Sequence, residues 1–133
     1  MKNIILITLF LIVLSGCNND DQNFDENSST DVVNLRITNS SKYFYNSIVV
    51  NPGGRTANFE SLKSGGSTEY QVFETAYSYG YVKIKIEDSV YLIQPYDYFG
   101  EIPLENGYYS YKIDIKPNDA TGRLELINTF IKD

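Results

Sequence analysis

From Val32 onward, apolar and polar residues alternate with a period of two, and no stretch sustains the i, i+3, i+4 apolar spacing of an amphipathic helix. The pattern predicts strands. The first, Val32 to Asn39, sets Val33, Leu35 and Ile37 on one face against Asn34, Arg36 and Thr38 on the other. A second, near Phe44 to Val50, is expected to bury Phe44, Ile48 and Val50. It ends at Asn51-Pro52-Gly53-Gly54, where proline removes a ladder donor and the glycines favour a turn. A loop then runs to Ser64-Gly65-Gly66-Ser67, with Phe59 and Leu62 as its apolar anchors.

Thr68 to Glu74 reads as the next strand, followed by a hairpin of Tyr81 to Ile86 and Val90 to Gln94. Val82, Ile84 and Ile86 mark a dry face on the first arm. A two-residue loop, the preferred reading, brings Tyr91 and Ile93 to that face, whereas a three-residue loop brings Val90 and Leu92. Gly107 to Ile115 alternates most cleanly, with Tyr109, Tyr111, Ile113 and Ile115 against Tyr108, Ser110, Lys112 and Asp114. Lys116-Pro117-Asn118-Asp119 and Gly122 turn the chain into a last strand, Arg123 to Lys132, carrying Leu124, Leu126 and Phe130. About seven strands with short turns over residues 32–133 predict one all-β domain, an antiparallel sandwich.

The first 31 residues follow another logic. Lys2 begins a short positive segment, and Ile4 to Leu14 is an apolar run of signal-peptide length, short of the ~20 residues a membrane-spanning helix needs. Leu14-Ser15-Gly16-Cys17 resembles the bacterial lipobox. That resemblance implies removal of residues 1–16 and diacylglycerol on the Cys17 thiol, so the expected partner of this end is a membrane, reached through several acyl chains. Residues 17–31 hold one large apolar residue, Phe24, among Asn, Asp, Ser, Gln, Glu and Thr, too little apolar surface to offset ordering, and read as a flexible tether. Asp20, Asp21, Asp25, Glu26 and Asp31 place much of the chain's net charge of −6 there. The remainder is nearly balanced, which argues against nucleic acid as a partner.

An acidic run just after a lipidated cysteine resembles the signal that sends Bacteroidetes-type lipoproteins to the outer face of the outer membrane. Outer-membrane attachment is expected, on the periplasmic face or the cell surface. Leu104-Glu105-Asn106-Gly107-Tyr108-Tyr109-Ser110-Tyr111 resembles the tyrosine-corner approach of immunoglobulin-like sandwiches, which implies a Tyr109 hydroxyl bonded to nearby backbone. The whole chain is similar to small lipoproteins of Bacteroidetes-type bacteria in its lipobox, acidic tether and sandwich-like body, a likeness that brings no catalytic residues with it.

The chain has no histidine, which removes the commonest metal ligand and the usual general base near neutral pH. Cys17 is its one cysteine, so the domain has no disulfide and no thiolate metal site. Asp97 and Glu101 supply a nominal carboxylate pair, but in a Tyr/Gly-rich loop they read as solvated charge. Asp114, Asn118 and Asp119 lack the spacing of a calcium loop and read as a turn. Neither an enzyme nor a cofactor or metal is expected.

Twelve tyrosines between Tyr43 and Tyr111 are the domain's compositional excess. Tyrosine favours strands, and it also enriches binding surfaces because its ring offers large contact area at small entropy cost. Tyr70, Tyr91, Tyr109 and Tyr111 read as core or corner residues. Tyr77, Tyr79, Tyr81, Tyr96 and Tyr98 fall on loops or polar faces at one end of the hairpin and are the candidate binding residues. The expected function is non-enzymatic binding of a protein or glycan at the cell envelope. The alternative is a structural or accessory envelope subunit that associates with another protein through its β edges.

Overall fold

The computed structural model describes residues 32–98 and 100–133. Cys17, the signal segment and the tether lie outside the described residues. Eight strands are present: β1 (Val33–Asn39), β2 (Ser47–Asn51), β3 (Ala57–Phe59), β4 (Gln71–Phe73), β5 (Tyr81–Ile86), β6 (Ser89–Ile93), β7 (Gly107–Pro117) and β8 (Leu124–Lys132), with no helix among the described residues. They form two four-stranded sheets, ordered β4-β1-β7-β8 and β3-β2-β5-β6.

The alternating faces meet between the sheets. Val33, Leu35 and Ile37 of β1, with Tyr109, Tyr111, Ile113 and Ile115 of β7, share one buried cluster with Ile48 and Val50 of β2 and Val82 and Ile84 of β5. Burying each large apolar side chain contributes roughly 1.5–3 kcal/mol, so this cluster is the main source of stability. One polar residue belongs to the buried set at the end of β1. Asn39 donates through Nδ2 to the carbonyls of Tyr43 (2.8 Å) and Leu62 (3.1 Å), and its Oδ1 accepts from the backbone N–H and hydroxyl of Ser41. The amide thus ties the turn after β1 to the loop beyond β3.

Several expectations change. The sandwich is not wholly antiparallel: β1 runs parallel to β7, Leu35 opposite Tyr109 and Ile37 opposite Tyr111. These strands lie far apart in sequence, so no hairpin forces them to oppose. Strand β3 lies where a loop was expected, pairing Phe59 with Ile48. Phe44 is 51% exposed and Tyr45 is buried in its place. The period-two count fails because the chain breaks at Asn46: Tyr45 bridges Leu62, and β2 begins only at Ser47, so Tyr45 and Ile48 both point inward. Tyr45 donates to the Ile113 carbonyl at 3.1 Å, and burial pushes its phenol up to about 12.

The hairpin has the two-residue loop. Ile86 pairs with Ser89, leaving Glu87 and Asp88 at the turn, and Tyr91 and Ile93 oppose Ile84 and Val82. Glu87 adopts φ 52°, with its N–H held by Asn46 Oδ1 at 2.7 Å.

Candidate functional site

Strand β5 starts, and β6 ends, at one end of the sandwich. The segment before β5 carries Tyr77 and Tyr79, and the loop after β6, residues 94–106, carries Tyr96 and Tyr98. Antiparallel pairing of β5 with β6 brings the two segments together. Tyr98 lies between the other two rings: its centroid is 4.6 Å from Tyr77 at 18° and 5.5 Å from Tyr79 at 19°. Three rings therefore form one offset stack, a geometry worth about 0.5–1.5 kcal/mol per pair beyond burial.

The stack has a foundation. Tyr77 lies over Gly53, where a side-chain carbon would occupy the space of its ring, and Gly53 itself holds φ +126°. Tyr77 N–H donates to the Pro52 carbonyl at 2.8 Å, and its own carbonyl accepts the Tyr111 hydroxyl at 2.7 Å. The base of the stack is thus fixed to the β2–β3 turn and to the core. Burial raises the Tyr98 and Tyr111 phenols above their ordinary value, so both stay protonated. Tyr79 rises too, first by desolvation and then by the nearby Glu101 carboxylate. Its hydroxyl donates to the Asp97 carbonyl at 3.2 Å, tying the top of the stack to the loop.

Two anchors hold the described residues of the loop after β6. Tyr98 is held in the stack, and Leu104 packs against the core with its N–H on the Ala76 carbonyl at 2.8 Å. Between them the chain reverses: Glu101 N–H donates to the Tyr98 carbonyl at 3.1 Å, and Gly100 takes φ +78°, a conformation L side chains rarely adopt. The anchors leave other apolar groups outside. Tyr96 is fully exposed and Ile102 is 85% exposed. Asp97, Glu101 and Glu105 are the charged residues of the loop, which contains no Lys or Arg.

Of the five candidate tyrosines, the structure brings Tyr77, Tyr79 and Tyr98 together. Tyr96 projects from the same loop without joining the stack. Tyr81 sits on β5, opposite Asn51 of β2 and half-buried. Tyr109 is buried, donates to the Glu105 carbonyl at 3.0 Å and stacks on Phe130 at 5.2 Å.

A second polar cluster, absent from the sequence reading, lies at the β4-β1-β7-β8 sheet. Arg36 donates from Nε to Ser110 Oγ at 2.9 Å and reaches Asp133 Oδ2 at 3.3 Å. Its guanidinium lies 4.8 Å above the Tyr70 ring, and the Tyr70 hydroxyl donates to Asp133 at 2.7 Å. Tyr70 is therefore not the core residue expected. Desolvation works against a charged Asp133, yet hydrogen bonds from Tyr70 and Ser110 and the Arg36 charge outweigh it and hold the carboxyl below its ordinary range. No local signal marked this cluster, because its members come from separate segments joined only by sheet pairing.

Among the described residues, no group of three or more Asp, Glu, His or Cys is placed to hold a metal. Asp114 is engaged by Lys116 at 3.0 Å, and Asn118 Oδ1 accepts the N–H groups of Ala120 and Thr121, which closes the turn before β8.

The fold defines the chain as an all-β protein of two four-stranded sheets. No family model and no curated protein sequence matches it. It is similar to a protein from Eubacterium rectale solved by NMR, with a TM-score of 0.52 and 12% identity over 74% of this chain and 88% of that one. The likeness is one of fold alone.

Proposed function

We propose that this chain is a lipid-anchored, non-enzymatic binding protein of the bacterial outer membrane, and that it takes a protein ligand at its tyrosine end. The observation that carries the proposal is the Tyr77–Tyr98–Tyr79 stack, which fixes loop 94–106 while leaving Tyr96 and Ile102 in solvent. A pre-ordered loop presenting exposed apolar side chains loses little entropy on binding, and tyrosine is a common interface anchor. Asp97, Glu101 and Glu105, in a loop whose own sequence holds no Lys or Arg, suit a partner surface that is basic around an apolar patch. A glycan fits less well, because the faces of Tyr77 and Tyr98 are taken up by the stack and by Gly53, which leaves only one face of Tyr79 for a sugar ring.

The membrane tether rests on the lipobox resemblance at Cys17. Metabolic labelling with a fatty acid tests it: the wild type takes up label and Cys17→Ser does not, while label persisting on the variant rejects lipid anchoring. We read the body as an immunoglobulin-like sandwich. The closure of Tyr109 onto Glu105 four residues upstream supports that reading, and the parallel β1–β7 pair departs from the all-antiparallel expectation.

Association with another envelope protein through a β edge is the second reading. The outer strands β6 and β8 favour it, since Val90, Leu92, Ile127 and Ile131 are exposed on them. Crosslinking in intact cells separates the two: contacts through loop 94–106 support the first, contacts through β6 or β8 the second.

A further inference from the structure

The strands of the sheet β3-β2-β5-β6 contain no Asp or Glu, and their charged residues are Lys83 and Lys85 of β5. Residues paired across neighbouring strands share a face, so the register sets out what surrounds these two lysines. Val49 of β2 pairs with Lys83, and Lys83 pairs with Leu92 of β6; one step further along, Lys85 pairs with Val90. The intervening Val82 and Ile84 are buried, which turns the lysine rows outward, and Val90 and Leu92 are 56% and 55% exposed. The outer face is therefore aliphatic, with two ammonium groups set in it. The ion pairs among the described residues are Arg36–Asp133 and Lys116–Asp114, both at the other sheet, so neither Lys83 nor Lys85 is engaged by a carboxylate.

The loop after β6 has the opposite character. Tyr96 and Ile102 stand in solvent, and the exposed Glu101 and Glu105 accompany them in a sequence without Lys or Arg. One molecule thus carries apolar groups among carboxylates at its end and apolar groups among ammonium groups on a sheet face, and the two surfaces are complementary in charge. They do not meet within one copy, because the side chains of both remain open to water.

We infer that a second copy of this chain is a ligand of that loop, an inference that rests on reading the loop as a protein-binding surface. Tyr96 and Ile102 of one copy lie against Val49, Val90 and Leu92 of the next, and Glu101 and Glu105 face Lys83 and Lys85. The contact uses the face of β5 and β6 and not the hydrogen-bonding edge of β6. The other sheet is a poorer seat, since its Arg36 and Lys116 already hold carboxylates of their own chain. Because the two surfaces differ, the association is heterologous, head to tail, and leaves a free loop and a free face for further copies. Tyr96 brings about 150–250 Å² of contact area, so the contact falls at the small end of specific interfaces, below about 1,200 Å² in total. It is weak in solution, and copies held in one membrane meet at a raised local concentration.

Sedimentation of the full chain in a mild nonionic detergent, over a range of protein concentrations, tests the contact, with every variant first checked for an unchanged unfolding midpoint. The wild type gains mass as concentration rises, without stopping at a dimer, and its association weakens about tenfold or more in about 0.5 M salt, where exposed charges are screened. The face variant Lys83→Glu/Lys85→Glu and the loop variant Glu101→Lys/Glu105→Lys each stay monomeric, because like charges now oppose. Their equimolar mixture associates again, since the loop of each meets a face of opposite sign on the other. Lys83→Gln/Lys85→Gln, which removes charge without reversing it, associates less than the wild type and takes the place of the face variant if charge reversal disturbs the fold. A monomeric wild type, a face variant or its Gln counterpart that associates as the wild type does, or folded loop and face variants whose mixture stays monomeric overturns the inference. The reading of the loop fails separately: a monomeric wild type that still captures another protein through Tyr96 and Ile102 ends the self-association and leaves that reading standing.

Discussion

The core and the tyrosine end use the same residue in opposite ways. Tyr45, Tyr109 and Tyr111 are buried, each donating its hydroxyl to a backbone carbonyl, of Ile113, Glu105 and Tyr77 respectively. Tyr77, Tyr79 and Tyr98 are half-buried and rest on one another. In the core the ring supplies burial and the hydroxyl must be satisfied because water cannot reach it. At the end, ring-on-ring contact ties the segment before β5 to the loop after β6, and hydroxyl bonds are longer, 3.2 Å from Tyr79 and 3.4 Å from Tyr98. Tyr111 joins the regions, because the carbonyl it satisfies belongs to the base of the stack.

That contrast breaks most visibly at Tyr111. Tyr111→Ala should lower stability by about 3–5 kcal/mol, the range for a buried aromatic, and denaturant unfolding will register it as a large fall in midpoint. Removing the middle ring with Tyr98→Ala should lose both stacking contacts, roughly 1–3 kcal/mol, and raise amide exchange in loop 94–106 while β1 and β7 stay protected. Tyr109→Phe keeps the ring and loses one hydrogen bond, about 0.5–1.5 kcal/mol with an unchanged denaturant slope. Tyr96→Ala should move the midpoint by no more than about 0.5 kcal/mol, as befits an exposed side chain.

A fifth expectation concerns pH. The Asp133 carboxyl titrates below its ordinary value in the folded chain, so its contribution is present at neutral pH and is lost as pH falls through that lowered value. Acid titration of stability should therefore be slightly flatter for Asp133→Asn than for the wild type, the effect being small because the group is near solvent.

Much of the fold was legible because alternation maps directly onto faces. β1 and β7 bury the side chains their period assigns to the interior, and β5 buries Val82 and Ile84 while Ile86, at its end, is only partly covered. The exception at Phe44 and Tyr45 comes from a backbone break at Asn46, where parity cannot be carried through. The parallel β1–β7 pair left no trace in the sequence, since neither strand carries a local signal of its distant partner. At the tyrosine end, the meeting of residues 77–79 with residues 96–98 followed from the hairpin. Which of Tyr96 and Tyr98 enters the stack depends on loop geometry, and the answer is Tyr98 alone.

The central claim is that a fixed loop displays Tyr96 and Ile102 to a protein ligand. Its most direct test measures binding of the full chain to an array of envelope and secreted proteins, beside a Tyr96→Ala/Ile102→Ser double variant checked for an unchanged unfolding midpoint. The account predicts that the wild type captures a partner presenting a basic surface, and that the folded variant loses at least about tenfold in affinity, as expected when interface anchors are truncated. A wild type that binds nothing, or a variant that binds as the wild type does, contradicts it.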